Sequence, residues 1–498
     1  MPGTPVRMGQ SVSLRGGTRA RRMTRGGIHR PAASGSYGVV LSILFAAGLI
    51  YTLLGAVLLP AARSLSHDLH ASQIDTTWVL TAYILSGGVA TPIAGRLGDM
   101  YGKQRTLVWV LAVVAAGTLL CAVSTSIVPM IAGRLISGVA SGVFPLADGL
   151  SRDEFPSERV ATAIGVISVS VGIGTGVAVV LAGFLLENLP YHWLFWVPLA
   201  TTVPTLVAAW LWIPESPVRP GGRMDWLGAI VMGLGLLGLL IGISKASTWG
   251  WGSGKTIGLL GAGIAILVAW VRIELRTKAP LIDMHTMGIP TVWRTNLAAT
   301  LFGFGMFAAF ATIPQFVQQP PSTGYGFGAS VVGAGLYLMP AAVTMALIGP
   351  LAGKIERRTG SKRALLLGGA SGTLGYALVA LSHGVPWHLY VAMGIVGVGM
   401  GLGFAALPTL IVAAVPAEQT GAATGINTIM RVIGGALGIQ ICATIVARQT
   451  GPGGLPLESG FATAFWVCAA ALAGASVVAA LVPRRQKAPA GQAVAVTD

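Results

Sequence analysis

Several residues in this sequence could do chemistry inside an otherwise apolar chain. The stretch "GRLGDMYGKQR" (95–105) gathers Asp99, Lys103 and Arg105 among Gly95, Gly98 and Gly102. Arg134 and Arg431 each stand inside a long apolar run, and Asn427 lies four residues before Arg431, on the same helical face. Asp148 lies near the end of another run. A charge in hydrocarbon costs several kcal/mol unless it faces protein or water, so intramembrane charges mark pathways or relays. For Arg134 and Arg431 two readings stand: a group lining a pathway, or a tie to backbone carbonyls of neighbouring helices.

The chain that must position them has 498 residues, 54% hydrophobic and 10% charged, with net charge +16 and mean hydropathy +0.75. Soluble domains carry roughly 25% charged residues, so this chain lacks the charge to cover a water-facing surface. Spanning a bilayer takes roughly 17–25 mostly apolar residues, and fourteen such windows run from 38–62 to 461–482. The expected fold is all-α, a polytopic protein of the cell membrane. Cys121, Cys442 and Cys468 show neither a pairing nor a metal-ligand spacing, so no disulfide, metal or cofactor is expected. The seven arginines of residues 1–36 have no aromatics to stack on bases. They read as a disordered basic tail rather than a nucleic-acid site. "WGWGSGKT" (249–256) has Trp249 where a phosphate-binding loop needs Gly, and no nucleotide is expected.

With both termini in the cytoplasm, 26 Lys and Arg fall in inside segments and 4 in outside loops, which sets the expected topology. The chain also repeats itself. Gly95, Gly102 and Arg105 recur as Gly353, Gly360 and Arg363; Gly138, Val139 and Gly142 as Gly397, Val398 and Gly401. Pro156, Glu158, Ala163 and Gly165 recur as Pro416, Glu418, Ala423 and Gly425, and all offsets lie between 258 and 260. These matches predict two six-helix bundles, 37–214 and 295–483, with two inserted transmembrane helices in 215–294 and cytoplasmic tails at 1–36 and 484–498. Duplicated membrane units of this kind bind small molecules between their halves.

"GRLGDMYGKQR" resembles the signature loop of the major facilitator superfamily. Fourteen helices with two central extras resemble that superfamily's drug:proton antiporter branch. "WVLTAYIL" (78–85), "GRLISGVASGVFPLADGLSRDEFPSERVATAIG" (133–165), "HWLFWVPLA" (192–200) and "GINTIMRVIGGALG" (425–438) resemble its second, fourth, sixth and thirteenth helices. The resemblance implies a secondary active transporter and not an enzyme. It would export a small, drug- or antibiotic-like compound by proton antiport and alternating access. The resemblance also implies that Asp99 faces the thirteenth helix, beginning near Gln419, as a conformational latch. A helix N-terminus favours an anion. Gly95 and Gly102 permit close approach and a tight turn, and Lys103 and Arg105 are expected to hold the carboxylate and anionic headgroups. Gly353, Gly360 and Arg363 are the latch's second copy, "GKIERRTGSKR", with Arg357 where Asp99 stands in the first.

The sequence departs from the branch in two places. The branch's first helix carries an Asp two residues before a Thr; here Ile50 precedes Thr52, and the other register offers Tyr51. In the fifth helix Gly172, Gly174, Gly176 and Gly183 remain for packing. Val179 stands at the aligned Pro, so no kink is expected. All sixteen Asp and Glu fall in loops, tails or helix ends. Asp148 is therefore the default proton carrier, and Tyr51, Arg134, Asn427, Arg431 and Gln440 complete the expected substrate and ion pathway. Two arginines without an acid between them predict neutral or anionic substrates rather than cations. The expected partners are that substrate, a coupling ion (H+) and the lipid bilayer, with the chain a monomer. An importer of the same fold and a non-transporting receptor or scaffold remain open.

Overall fold

A computed structural model describes residues 34–58, 61, 65, 68–69, 71, 73–216, 224–278, 280–451 and 455–483. Most of the basic tail and all of 484–498 lie outside them. Fourteen of the described helices are long and apolar enough to cross a membrane. They are α1 (Ser34–Ala56), α2 (Gln73–Tyr101), α3 (Lys103–Ala122), α4 (Ile127–Glu154), α5 (Ser157–Asn188), α6 (Trp193–Trp212) and α7 (Trp226–Trp249). The others are α8 (Gly254–Glu274), α9 (Pro290–Val317), α10 (Val331–Thr359), α11 (Ser361–Leu381), α12 (Pro386–Ala414), α13 (Thr420–Arg448) and α14 (Glu458–Leu481). No strand occurs among the described residues; a single bridge joins Thr450 to Pro456. In hydrocarbon a helix is the one open-ended segment that satisfies its own backbone, which is why so apolar a chain reduces to helices.

Local chemistry sets the boundaries. Gly102 at φ 109° and Gly360 at φ 85° end α2 and α10 in backbone that side chains rarely adopt. Asp225, Ser253 and Ser330 cap α7, α8 and α10 by accepting the N–H of Gly228, Thr256 and Gly333. α4 tightens to a 3-10 turn over Gly138–Gly142, where glycines weaken the helix. α5 runs unbroken for 32 residues.

The packing is duplicated along with the sequence. α1 packs on α5 and α6, α2 on α4, and α3 on α4 and α6. In the same pattern α9 packs on α13 and α14, α10 on α12, and α11 on α12 and α14. The two sets meet through equivalent pairs, α2 with α13 and α10 with α5, then α4 with α13 and α12 with α5. α7 lies along α2 and α13, and α8 packs on α7.

Candidate functional site

At one end of the bundle the two sets close on each other. Gly95 and Gly421 come so near that a Cβ on either would strike the other's carbonyl. The equivalent pair, α5 with α10, closes in the same way at Gly165 and Gly349, and Gly353 lies against Thr162. Beside the first contact, the Asp99 carboxylate accepts the N–H groups of Gly421 and Ala422 at 3.1 and 3.0 Å, at the start of α13. It is fully buried. Arg152 adds a second bond across the same seam, donating to the Val415 carbonyl at 3.0 Å and the Thr420 hydroxyl at 2.6 Å. Arg357, which replaces Asp99 in the repeat, donates to the Glu158 carbonyl at 3.1 Å. Polarity is reversed there, but the link again joins α10 to the first turn of α5.

The two basic residues of the loop act differently. Lys103 is buried 3.8 Å from Asp99 but bonds Asp153 at 2.6 Å, and Asp153 also takes the Ser216 hydroxyl. Arg105 is exposed and pairs with Glu215 at 3.3 Å, so it does not hold Asp99. Arg105 stands two residues, or about 200°, round α3 from the buried Lys103, just after the chain turns at Gly102. Gly360 makes the corresponding turn before α11, and Arg363 is exposed.

Midway through the bundle lies a polar layer. Arg431 of α13 is buried with its guanidinium 4.3 Å from the Phe404 ring centre. It forms no hydrogen bond or ion pair among the described residues. Asp148 of α4 and Tyr51 of α1 are its charged and polar neighbours, within electrostatic reach but not in direct contact. Tyr51 meets Phe144 edge-on at 5.3 Å and stacks on Tyr83 at 6.0 Å. The Tyr83 hydroxyl is spent on the Tyr51 carbonyl at 2.7 Å. One turn from Arg431, Asn427 donates to Asn296 of α9 at 3.0 Å. An acid therefore does reach the interior: Asp148 is only 5% exposed. The expectation of arginines without an acid between them is corrected by that placement.

Arg134 is the second correction. Its Nε donates to the Val79 carbonyl at 3.2 Å and one Nη to Leu54 at 2.9 Å, with the Tyr83 ring centre at 4.2 Å. These contacts tie α4 to α1 and α2, and with the side chain 1% exposed they match the reading of a tie to backbone carbonyls. Gln440 stands roughly 13 Å further along α13 than Arg431, at about 1.5 Å per residue, and does not join the layer. Sequence reasoning missed Asn296, Phe404, Asp153 and Arg152. Arg152 and Asp153 stand inside the quoted stretch 133–165, but like the other two they become legible only through partners elsewhere in the fold.

Toward the other end the two helices that touch at Gly165 and Gly349 remain neighbours, with Gly176 near Ala342 and Gly183 near Val332. A cavity of about 800 Å³ opens between α5 and α10, lined by Thr175, Val180, Phe184, Leu338, Met339 and Val343. Gly172 and Gly176 line its floor, with Gly172 against Met345, while Gly174 packs on Thr52 of α1 and Gly183 on Val332.

The sequence profile of the Major Facilitator Superfamily matches residues 43–439. The chain belongs to the Major Facilitator Superfamily. It is a multi-pass membrane protein of that superfamily, and proteins named for export are among its relatives. It is 25% identical over 437 residues to the tetracenomycin C resistance and export protein of Streptomyces glaucescens, covering 85% of this chain and 79% of that one. It is 25% identical over 398 residues to a multidrug resistance protein B homolog of Mycobacterium tuberculosis strain H37Rv, covering 78% and 72%. An uncharacterised MFS-type transporter of that strain is 27% identical over 77% of this chain, and the chain spans about half (55%) of its length. Among solved structures, the human organic anion transporter MFSD10 superposes with a TM-score of 0.64 at 16% identity, over 89% of this chain and 99% of that one. The E. coli fucose:proton symporter FucP gives 0.63 at 13% identity, over 91% and 100%. Both likenesses concern the superfamily fold.

Proposed function

We propose that this superfamily member exports a small organic compound by alternating access in exchange for protons. Residues 37–214 and 295–483 would be the rocking units and 215–294 an insert between them. In this reading both termini and the Asp99 end are cytoplasmic, and the described conformation is closed at that end. The tight seam at Gly95 and Gly421 supports that assignment. The export direction rests on relatives whose names denote export and multidrug resistance.

The observation that carries the coupling mechanism is the buried, unjoined pair of Asp148 and Arg431. A buried carboxylate and guanidinium cost several kcal/mol each unless they are paired and hydrogen-bonded. Here they stand on opposite units without touching, so the Asp148 anion keeps its burial cost until it takes up a proton or accepts hydrogen bonds from a ligand. A ligand that donates to the ionised carboxylate excludes that proton, which is the requirement for exchange. Tyr51, Phe144, Phe404 and Asn427 supply aromatic faces and an amide around it. Asp148 takes the role that the missing acid of α1 has in the resembling branch, and Asp99 with Lys103 and Gly95 forms the cytoplasmic latch.

The test uses purified protein in proteoliposomes loaded with a fluorescent substrate found in a toxicity screen. Wild type should move substrate faster when a pH gradient is imposed, and Asp148→Asn should bind it but lose the response to the gradient. An Asp148→Asn protein with the full pH response would refute the coupling assignment.

A further inference from the structure

The segment between α8 and α9 is packed closely beneath the seam. Leu281 and Ile282 are each 1% exposed, in one cluster with Met232 and Trp270 of the inserted helices and Ala422 and Ile429 of α13. Glu274, at the end of α8, receives the Trp270 indole N–H at 2.8 Å and the Ile282 N–H at 3.4 Å. Asp283 caps the short turn Met284–Met287, accepting the His285 N–H at 2.9 Å. Gln419, the residue before α13, is gripped from both sides. Its Oε1 accepts the Thr286 hydroxyl at 2.6 Å, and its amide donates to Asp283 at 3.3 Å. Burial works against charge on Asp283, yet the His285 N–H and the Gln419 amide hold its carboxyl below the usual carboxylate range. Next along the chain come Thr420, then Gly421 and Ala422, whose N–H groups Asp99 receives.

We propose that this linker is a strap that positions the start of α13 for Asp99, with Gln419 and Thr286 as its positioning residues. The inference rests on the latch reading above. The first N–H groups of a helix have no intrahelical partner, and helix ends fray. A hydrogen bond weakens steeply as its angle falls, so Asp99 can hold two N–H groups only if that first turn keeps its direction. Asp99 pulls on the turn from α2, Arg152 braces it from α4, and the strap fixes the residue before it from the insert's side. The inserted helices are thereby fastened to the second unit at the point where the first unit must let go.

The experiment measures distances between spin labels on the cytoplasmic ends of α5 and α10, in full-length protein in lipid nanodiscs. Gln419→Ala should raise the cytoplasm-open fraction roughly three- to tenfold, the scale of one net hydrogen bond. Thr286→Val, which keeps the volume and removes the hydroxyl, should move it the same way, and it serves if Gln419→Ala does not fold. In an Asp99→Asn background neither change should add to the opening, because the bonds it steadies are already lost. An equal increment in that background, or unmoved distances in both variants beside a moved Asp99→Asn, would overturn the strap alone. Unmoved distances in Asp99→Asn itself would overturn the latch and the strap together.

Discussion

Replacing Asp99 by Asn changes one oxygen to an amide at a site that reads both oxygens. The carboxylate receives two backbone N–H groups, at 3.1 and 3.0 Å. Asn keeps one acceptor and turns its NH2 toward the other donor, so one bond is lost and one N–H is left facing a donor. Hydrogen bonds to charged groups contribute about 1.5–3 kcal/mol each. Loss of the anion at a partly buried helix N-terminus costs up to about 2 kcal/mol more. Lys103 offsets little of this, because Asp153 holds it at 2.6 Å in either case. A net shift of about 3 kcal/mol corresponds to roughly a hundredfold change in the ratio of closed to open cytoplasmic ends. Crosslinking of cysteines placed on α2 and α13, or label distances across the same face, reads that ratio directly. Transport should slow, with expression retained. Unchanged ratios together with full transport in Asp99→Asn would refute the argument.

The seam itself can be wedged. Gly95→Ala puts a methyl against the Gly421 carbonyl, and overpacking costs about 1–3 kcal/mol, so the cytoplasmic end should open several-fold or more in the same distance assay. Gly258→Ala on α8, where nothing lies within 4 Å, should change nothing. Arg431 offers an unbonded guanidinium, so Arg431→Ala should weaken binding of acidic substrates by roughly ten- to a hundredfold, the scale of one charged hydrogen bond, and spare uncharged ones. Equilibrium binding of matched acidic and neutral analogues checks this; equal losses for both would show that Arg431 acts through packing on Phe404.

Some features were legible from local pattern alone. The apolar windows expected at 104–123 and 192–213 lie within a residue of α3 and α6, since these helix ends follow where the apolar run stops. α1 is an exception, ending at Ala56 where its window runs to 62. Apolar residues continue past Ala56, and hydropathy cannot distinguish the helix from its exit turn. For Asp99 it was the resemblance of the loop that pointed to the start of α13, where the N–H groups of Gly421 and Ala422 meet it. Arg105 was misassigned as a partner of Asp99 because it and Lys103 are equally basic on paper, whereas Lys103 stands 3.8 Å from that carboxylate. What separates them is their place on α3, two residues or about 200° apart, which buries one and exposes the other.

The sequence by itself determined the membrane class, the fourteen helices and the duplication, because each depends on composition and on spacing along one chain. Burial in hydrocarbon leaves an apolar segment little choice but a helix, and an offset repeat implies a repeated unit whatever its packing. The roles of the two arginines required the tertiary structure. Arg134 and Arg431 look alike in sequence, each a lone cation in an apolar run. Two helices bring carbonyls of Leu54 and Val79 to the first, whereas the second meets a ring and, at a distance, an acid on another unit. A buried charge takes its role from whichever partners other helices carry to it, and those partners lie tens to hundreds of residues away in the chain.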